Sequence, residues 1–98
     1  MKVTLSSWAR RDLEGIRNNI EKDNPARAIS FIGELRETAK RIGDMPHAFP
    51  LVPRYEQYGI RRRSHRGYGI IYSVEPDRIF IHRIMGPEQD HDAALHLN

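Results

Sequence analysis

The chain has 98 residues, a net charge of +3, 30% charged and 39% hydrophobic residues, and no cysteine. That length holds one domain with a small core, and the composition suits a folded globular domain rather than a disordered one. Disulfides and zinc–thiolate sites are excluded, and no apolar run approaches the roughly 20 residues that cross a bilayer.

The N-terminus MKVTLSSWARRDL lacks an apolar h-region, so no secretory signal is expected and the reading places the protein in the cytoplasm. Lys2-Val3-Thr4-Leu5 is expected as a short edge strand. Ser6 or Ser7 caps a first helix, because a serine hydroxyl accepts one of the unpaired N–H groups there. Ala9, Leu13, Ile16 and Ile20 recur at helical spacing and form its apolar stripe. Trp8 at the helix start is expected to lid the core.

Asp23-Asn24-Pro25 breaks the chain, with Asn24 as the cap and Pro25 at the first helical position, where a missing N–H costs nothing. A second helix is expected from Pro25 to about Ile42, buried through Ala28, Phe31, Ile32, Leu35, Ala39 and Ile42. Glu37 and Arg41 are spaced to pair along it, and Gly43 is expected to end it in a left-handed turn. The short link makes the two helices an antiparallel hairpin. Residues 44–57 form an irregular crossover with Pro46, Pro50 and Pro53, and Phe49, Leu51 and Val52 dock on the core edge.

Three strands follow. Gly59 to Ser64 is basic, Tyr68 to Val74 is central, and Ile79 to Ile84 runs back after the turn Glu75-Pro76-Asp77-Arg78. Connections this short make them antiparallel. In the central strand Tyr68, Ile70, Tyr72 and Val74 share one face, and Ile71 adds apolar surface to the other. Residues 91–98 are expected as a C-terminal tail or a short final helix. The fold class is therefore α+β: an N-terminal strand and a helical hairpin on a small, mainly antiparallel sheet, in one domain spanning residues 1–98.

Five of the residues from Arg54 to Arg66 are arginine, opposed only by Glu56. Arginine rather than lysine points to fork-shaped recognition of carboxylate or phosphate. The reading assigns Arg54, Arg61, Arg62, Arg63, Arg66 and Arg83 to partner binding. The competing account is a charged strand edge that discourages aggregation. His91 and His96 lack a third ligand, so no metal site is assigned, and no cofactor is expected.

The ordered set resembles the RelE/ParE superfamily of toxins from type II toxin–antitoxin systems. Leu5-Ser6-x-x-Ala9-x-x-Asp12-Leu13-x-x-Ile16 is similar to its first helix, and Asp23-Asn24-Pro25-x-x-Ala28-x-x-Phe31 to its second. Gly59-Ile60-Arg61, Gly67-Tyr68-x-Ile70-x-Tyr72-x-Val74 and Ile79-x-Ile81-x-Arg83-Ile84 are similar to its strands. The resemblance implies a bacterial toxin, of the kind linked to plasmid stabilisation, neutralised by an acidic, ParD-like antitoxin in a hetero-oligomer. RelE-like members cut messenger RNA on the ribosome, whereas ParE-like members poison DNA gyrase and are not known as nucleases.

RNA cutting requires a base, an acid and a fixed cation at the phosphate. RelE-like toxins carry an arginine in the central strand, where this chain has Gly69, and a late tyrosine or histidine, where it has Met85-Gly86-Pro87. A rebuilt nuclease site would draw on His65, Arg66, His82 and Arg83, but strand alternation is expected to point His82 and Arg83 opposite ways. Arg83 to Asp90 is similar to a ParE-like closing sequence, lacking its late histidine and arginine. The reading therefore favours a ParE-like gyrase poison without a catalytic residue. Its alternatives are a RelE-like endoribonuclease and an inactive member that only binds antitoxin. An amphipathic antitoxin helix is expected in the groove between hairpin and sheet, its carboxylates meeting Arg61 and Arg63.

Overall fold

The computed structural model describes residues 1–87, 89 and 91–95. The strand β1 (Lys2–Leu5) leads into the helices α1 (Ser7–Glu21) and α2 (Pro25–Arg41). After the crossover come β2 (Ile60–His65), β3 (Tyr68–Val74), β4 (Arg78–Met85) and a short helix α3 (His91–Leu95). The caps are those of the sequence: Ser6 Oγ accepts from Ala9 N at 3.0 Å, and Asn24 Oδ1 from Arg27 N at 3.0 Å.

The sheet order is β1-β4-β3-β2. β1 pairs in parallel with β4, from Lys2↔Arg78 to Leu5↔Ile81, the helices, the crossover and two strands lying between them in the chain. The other two pairings are antiparallel. Ala9, Leu13, Phe31, Leu35, Ala39 and Ile42 pack on Ile70, Tyr72, Ile79, Ile81 and Ile84 to form the main core. A second cluster fills the opposite face: Val52 and Tyr55 from the crossover, Ile60, Ile71 and Met85 from the strands, and Ala94 from α3. The central strand is thus buried on both sides, as the apolar Ile71 suggested.

Two expectations fail here. Gly43 is not a left-handed helix end; the positive-φ glycines are Gly59 and Gly67. Gly43 is small because the N-terminus lies against it: Met1 N donates to its carbonyl at 2.8 Å, and a Cβ would collide with the Met1 carbonyl. Trp8 is not a core lid either. It is 51% exposed, with the Arg11 and Arg83 guanidiniums each 5.4 Å from its ring.

Asp12 ties α1 to the sheet. Where β1 ends, β4 loses its neighbour, and its polar backbone needs other partners. Ser6 N donates to Ile81 O at 2.9 Å, and Ser6 Oγ to His82 O at 2.6 Å. Nearly two turns along α1, Asp12 accepts from Ile84 N at 2.9 Å and from both Nε and Nη2 of Arg83, at 2.8 and 2.9 Å. At the far end of the sheet, Glu34 of α2 holds the β2–β3 turn. It accepts from Arg27 Nη1 at 2.6 Å and Arg66 Nε at 3.2 Å, and meets His65 Nε2 at 2.9 Å.

Asp12→Ala is expected to lower the unfolding free energy by about 3 kcal/mol, because a shielded guanidinium and an N–H both lose their acceptor. Asp12→Asn, which keeps an acceptor for Ile84 N, is expected to cost less; urea denaturation measures both. The Arg27 hydrogen bond, then that of His65, holds the Glu34 carboxyl down at about 2, against an ordinary 4.5. A depressed folded value means that the unfolded chain takes up the proton first. This contribution is therefore complete above pH 4.5 and is lost as pH falls toward 2. Across that interval the urea midpoint of the native chain is expected to fall more steeply than that of Glu34→Gln.

Candidate functional site

Strand alternation divides the arginine run. Arg61 pairs with Tyr72 and Arg63 with Ile70, both main-core residues, so these two guanidiniums lie on the helix side. Arg62 pairs with Ile71 and lies on the opposite face. The run is therefore not one ridge. Arg61 Nη1 donates to Phe49 O at 2.7 Å, and Arg63 sits 5.0 Å from the Phe49 ring and donates to Ser64 O. Arg62 donates from Nε to Ser64 Oγ at 3.1 Å and from Nη2 to Gly67 O at 3.3 Å, and its Nη1 meets His91 Nε2 at 3.2 Å. Among the described residues no carboxylate pairs with any of these three.

The other three arginines assigned to binding are paired with the chain's own acids. Arg54, held at φ 78°, reaches Asp92 of α3 at 3.1 Å, and Tyr55 Oη donates to the same carboxylate. Arg66 is on Glu34. Arg83 is gripped by the two oxygens of Asp12, and its Nη1 donates to Ala94 O at 2.8 Å. The Asp12 hydrogen bonds raise the Arg83 pKa further above its usual value, so its charge is permanent and already compensated.

The four nuclease candidates do not form one site. His65 and Arg66 sit at the β2–β3 turn around Glu34, with His65 beside the Phe31 ring at 5.9 Å. His82 and Arg83 lie on the other side of the sheet, near α3. Here the expectation of opposed side chains is overturned by a β-bulge. Ile71 pairs with Arg83 and Tyr72 with Ile81, which leaves His82 as the extra residue. The interruption resets the alternation. Both side chains then border one hollow of about 270 Å³, with Ser6, Trp8, Phe80 and Ala94. His82 Nε2 is 2.8 Å from Ser73 Oγ and its ring meets Phe80 edge-on at 4.9 Å. Burial, opposed by the nearby Glu75, lowers its pKa and keeps the ring neutral at pH 7. A neutral imidazole beside a guanidinium that already holds a carboxylate lacks the free cation that phosphate chemistry requires.

The sequence reading missed a second basic region. Arg10, Arg17 and Arg36 border a groove of about 480 Å³ between α1 and α2, whose apolar lining residues are Leu13, Ile29 and Ile32. Leu13 and Arg36 also border a neighbouring apolar hollow of about 340 Å³, whose rim carries Lys2 and Lys40. Among the described residues these five cations have no ion-pair partner, and Glu14 is the one acid on the border. Ile29 is 76% exposed there. The signal was present: Arg10 and Arg17 are two helical turns apart, and Arg36 and Lys40 one turn. Asp90 and His96 lie outside the described residues, among which no cluster of three or more metal-ligating side chains occurs.

Solved structures carry the same architecture. The chromosomal ParDE toxin–antitoxin system from P. aeruginosa includes a chain that superposes with a TM-score of 0.75 at 20% identity, covering 90% of this chain and 97% of that one. A chain of the RelBE2 toxin–antitoxin complex from Mycobacterium tuberculosis superposes with a TM-score of 0.64 at 20% identity, covering 87% and 95%. At that identity the likeness is one of fold. No curated protein matches the chain in sequence. The family described as the ParE toxin of type II toxin-antitoxin system, parDE, matches residues 3–91, nearly the whole of the two-helix, four-strand unit. The chain belongs to this ParE toxin family, within the RelE/ParE superfamily of type II toxins.

Proposed function

We propose that this toxin disables DNA gyrase by surface contact, without making or breaking a bond itself, and that an acidic antitoxin segment neutralises it. The observation that carries the reading is the Asp12 clamp on Arg83. It engages the guanidinium that stands beside His82, and so removes the cation a phosphodiester would need. Membership of the ParE family points the same way. The shared hollow of His82 and Arg83, with the likeness to a RelBE2 chain, favours ribosome-dependent RNA cleavage as the second reading.

The antitoxin is assigned to the cleft along the helical hairpin. Two adjoining hollows with apolar lining, bordered by five cations that have no ion-pair partner among the described residues, suit an amphipathic helix with carboxylates on its flanks. Arg61 and Arg63 already donate to backbone carbonyls, so less of their attraction is available to a partner.

Purified toxin free of antitoxin is expected to block gyrase supercoiling and to accumulate cleaved DNA. Unchanged supercoiling at a large excess of toxin would refute the gyrase reading. Cutting of mRNA on translating ribosomes, lost in His82→Ala, would select the second. Lys2→Glu, Arg36→Glu and Lys40→Glu together are expected to weaken the antitoxin complex by about tenfold or more at 0.1 M salt and to flatten its salt dependence. Arg61→Glu with Arg63→Glu is expected to do less. Titration calorimetry at two salt concentrations compares the two sets, and the reverse ranking would move the antitoxin to the sheet.

A further inference from the structure

Gly69 lies near the start of the central strand β3, open to the face away from the helical hairpin, and is buried. The space above it is occupied by the Arg62 guanidinium. A Cβ at position 69 would stand 2.7 Å from Arg62 Nη1 and 2.8 Å from Nε. The guanidinium therefore fills the space a side chain at position 69 would take, and glycine is the residue that leaves it open.

Three partners fix this guanidinium: the Ser64 hydroxyl, the Gly67 carbonyl and the His91 ring. None is a carboxylate. That separates Arg62 from Arg54, Arg66 and Arg83, whose charges are met by Asp92, Glu34 and Asp12. Each Nη carries a second N–H beyond the bond described. Ser64 adds a hydroxyl at the same place. A half-buried, oriented and uncompensated guanidinium beside a hydroxyl is arranged to receive an oxyanion.

We infer that Arg62, seated on Gly69 and braced by Ser64, binds one backbone phosphate of DNA. The choice of a DNA phosphate over a partner's carboxylate rests on the gyrase reading, since a gyrase poison works where DNA is bound. Gly69 acts as a positioning residue, because its missing side chain determines where the charge stands.

The test is binding of the toxin to a mixed-sequence DNA duplex, followed by fluorescence anisotropy between 50 and 200 mM salt, values of roughly the range over which phosphate contacts are resolved. Arg62→Gln is expected to weaken binding by about tenfold at the low-salt end and to reduce the slope of log K against log salt by about 0.9, one phosphate's share. Gly69→Ala changes no charge, yet is expected to reproduce most of that loss by displacing the guanidinium. Arg62→Lys keeps the charge and is expected to recover only part of it. Thermal melting of each variant shows whether it is folded; if Gly69→Ala is not, Ser64→Ala takes its place, with a smaller loss expected.

Native affinity and slope in folded Arg62→Gln would overturn the inference. So would failure of the wild-type chain to bind the duplex at low salt, or competition of equal strength from a poly-glutamate peptide. Failure of the gyrase reading is distinguishable. DNA binding that depends on Arg62, without any effect on supercoiling, sinks that reading alone. Gyrase inhibition that survives alongside an unchanged slope in Arg62→Gln sinks this inference alone.

Discussion

The grip of Asp12 on Arg83 and Ile84 N determines much of the rest. β1 is only four residues long, so β4 runs past it and on that side has no neighbouring strand. A strand edge inside a fold needs polar partners, and α1 supplies them with a hydroxyl and then a carboxylate. The stretch from Ser6 to Asp12 anchors α1 on the sheet, compensates the arginine of β4 and borders the hollow that holds His82. Structure and chemistry are coupled here: the contact that secures the fold also removes a free cation from the place where a nuclease would want one.

Charge in this protein is best understood by pairing rather than by count. Four sheet-side or crossover arginines are opposed by the chain's own acids: Arg54, Arg66 and Arg83 by residues far along the sequence, and Arg78 by Glu75 in the turn before it. Arg61, Arg62 and Arg63 are satisfied by neutral acceptors and keep their full charge. Among the described residues, the cations around the hairpin cleft have no ion-pair partner. A partner rich in carboxylates gains most where charge is least compensated, because no internal pair must first be broken. The densest arginine run in the sequence is thus not the least compensated basic surface of the fold.

Gly69 and Gly43 illustrate one further point. Both were legible as glycines, and neither serves the purpose that glycine most often suggests. Each makes room for another group of the chain: the Arg62 guanidinium of the neighbouring strand in one case, the N-terminal backbone in the other. The φ angles at these positions are ordinary, so no local pattern separates them from Gly59 and Gly67, which do adopt left-handed conformations.

The elements, their caps and their order were legible in the sequence, because hydrophobic period, capping chemistry and short loops are local properties. The α+β class, the edge position of β1 and the two-sided burial of β3 followed from them, and so did the family resemblance. The packing partners were not legible. Asp12, Glu34 and Asp92 each compensate an arginine that the sequence offers as free, across separations of 71, 32 and 38 residues. The bulge that brings His82 and Arg83 to one hollow leaves no mark in the residue pattern, because one inserted residue looks like ordinary alternation until the neighbouring strand is in place. The sequence by itself determined which residues carry charge and which face of each element is apolar. Only the tertiary structure decided which charges remain uncompensated, because an ion pair depends on distance in space and the chain's order carries no record of that distance.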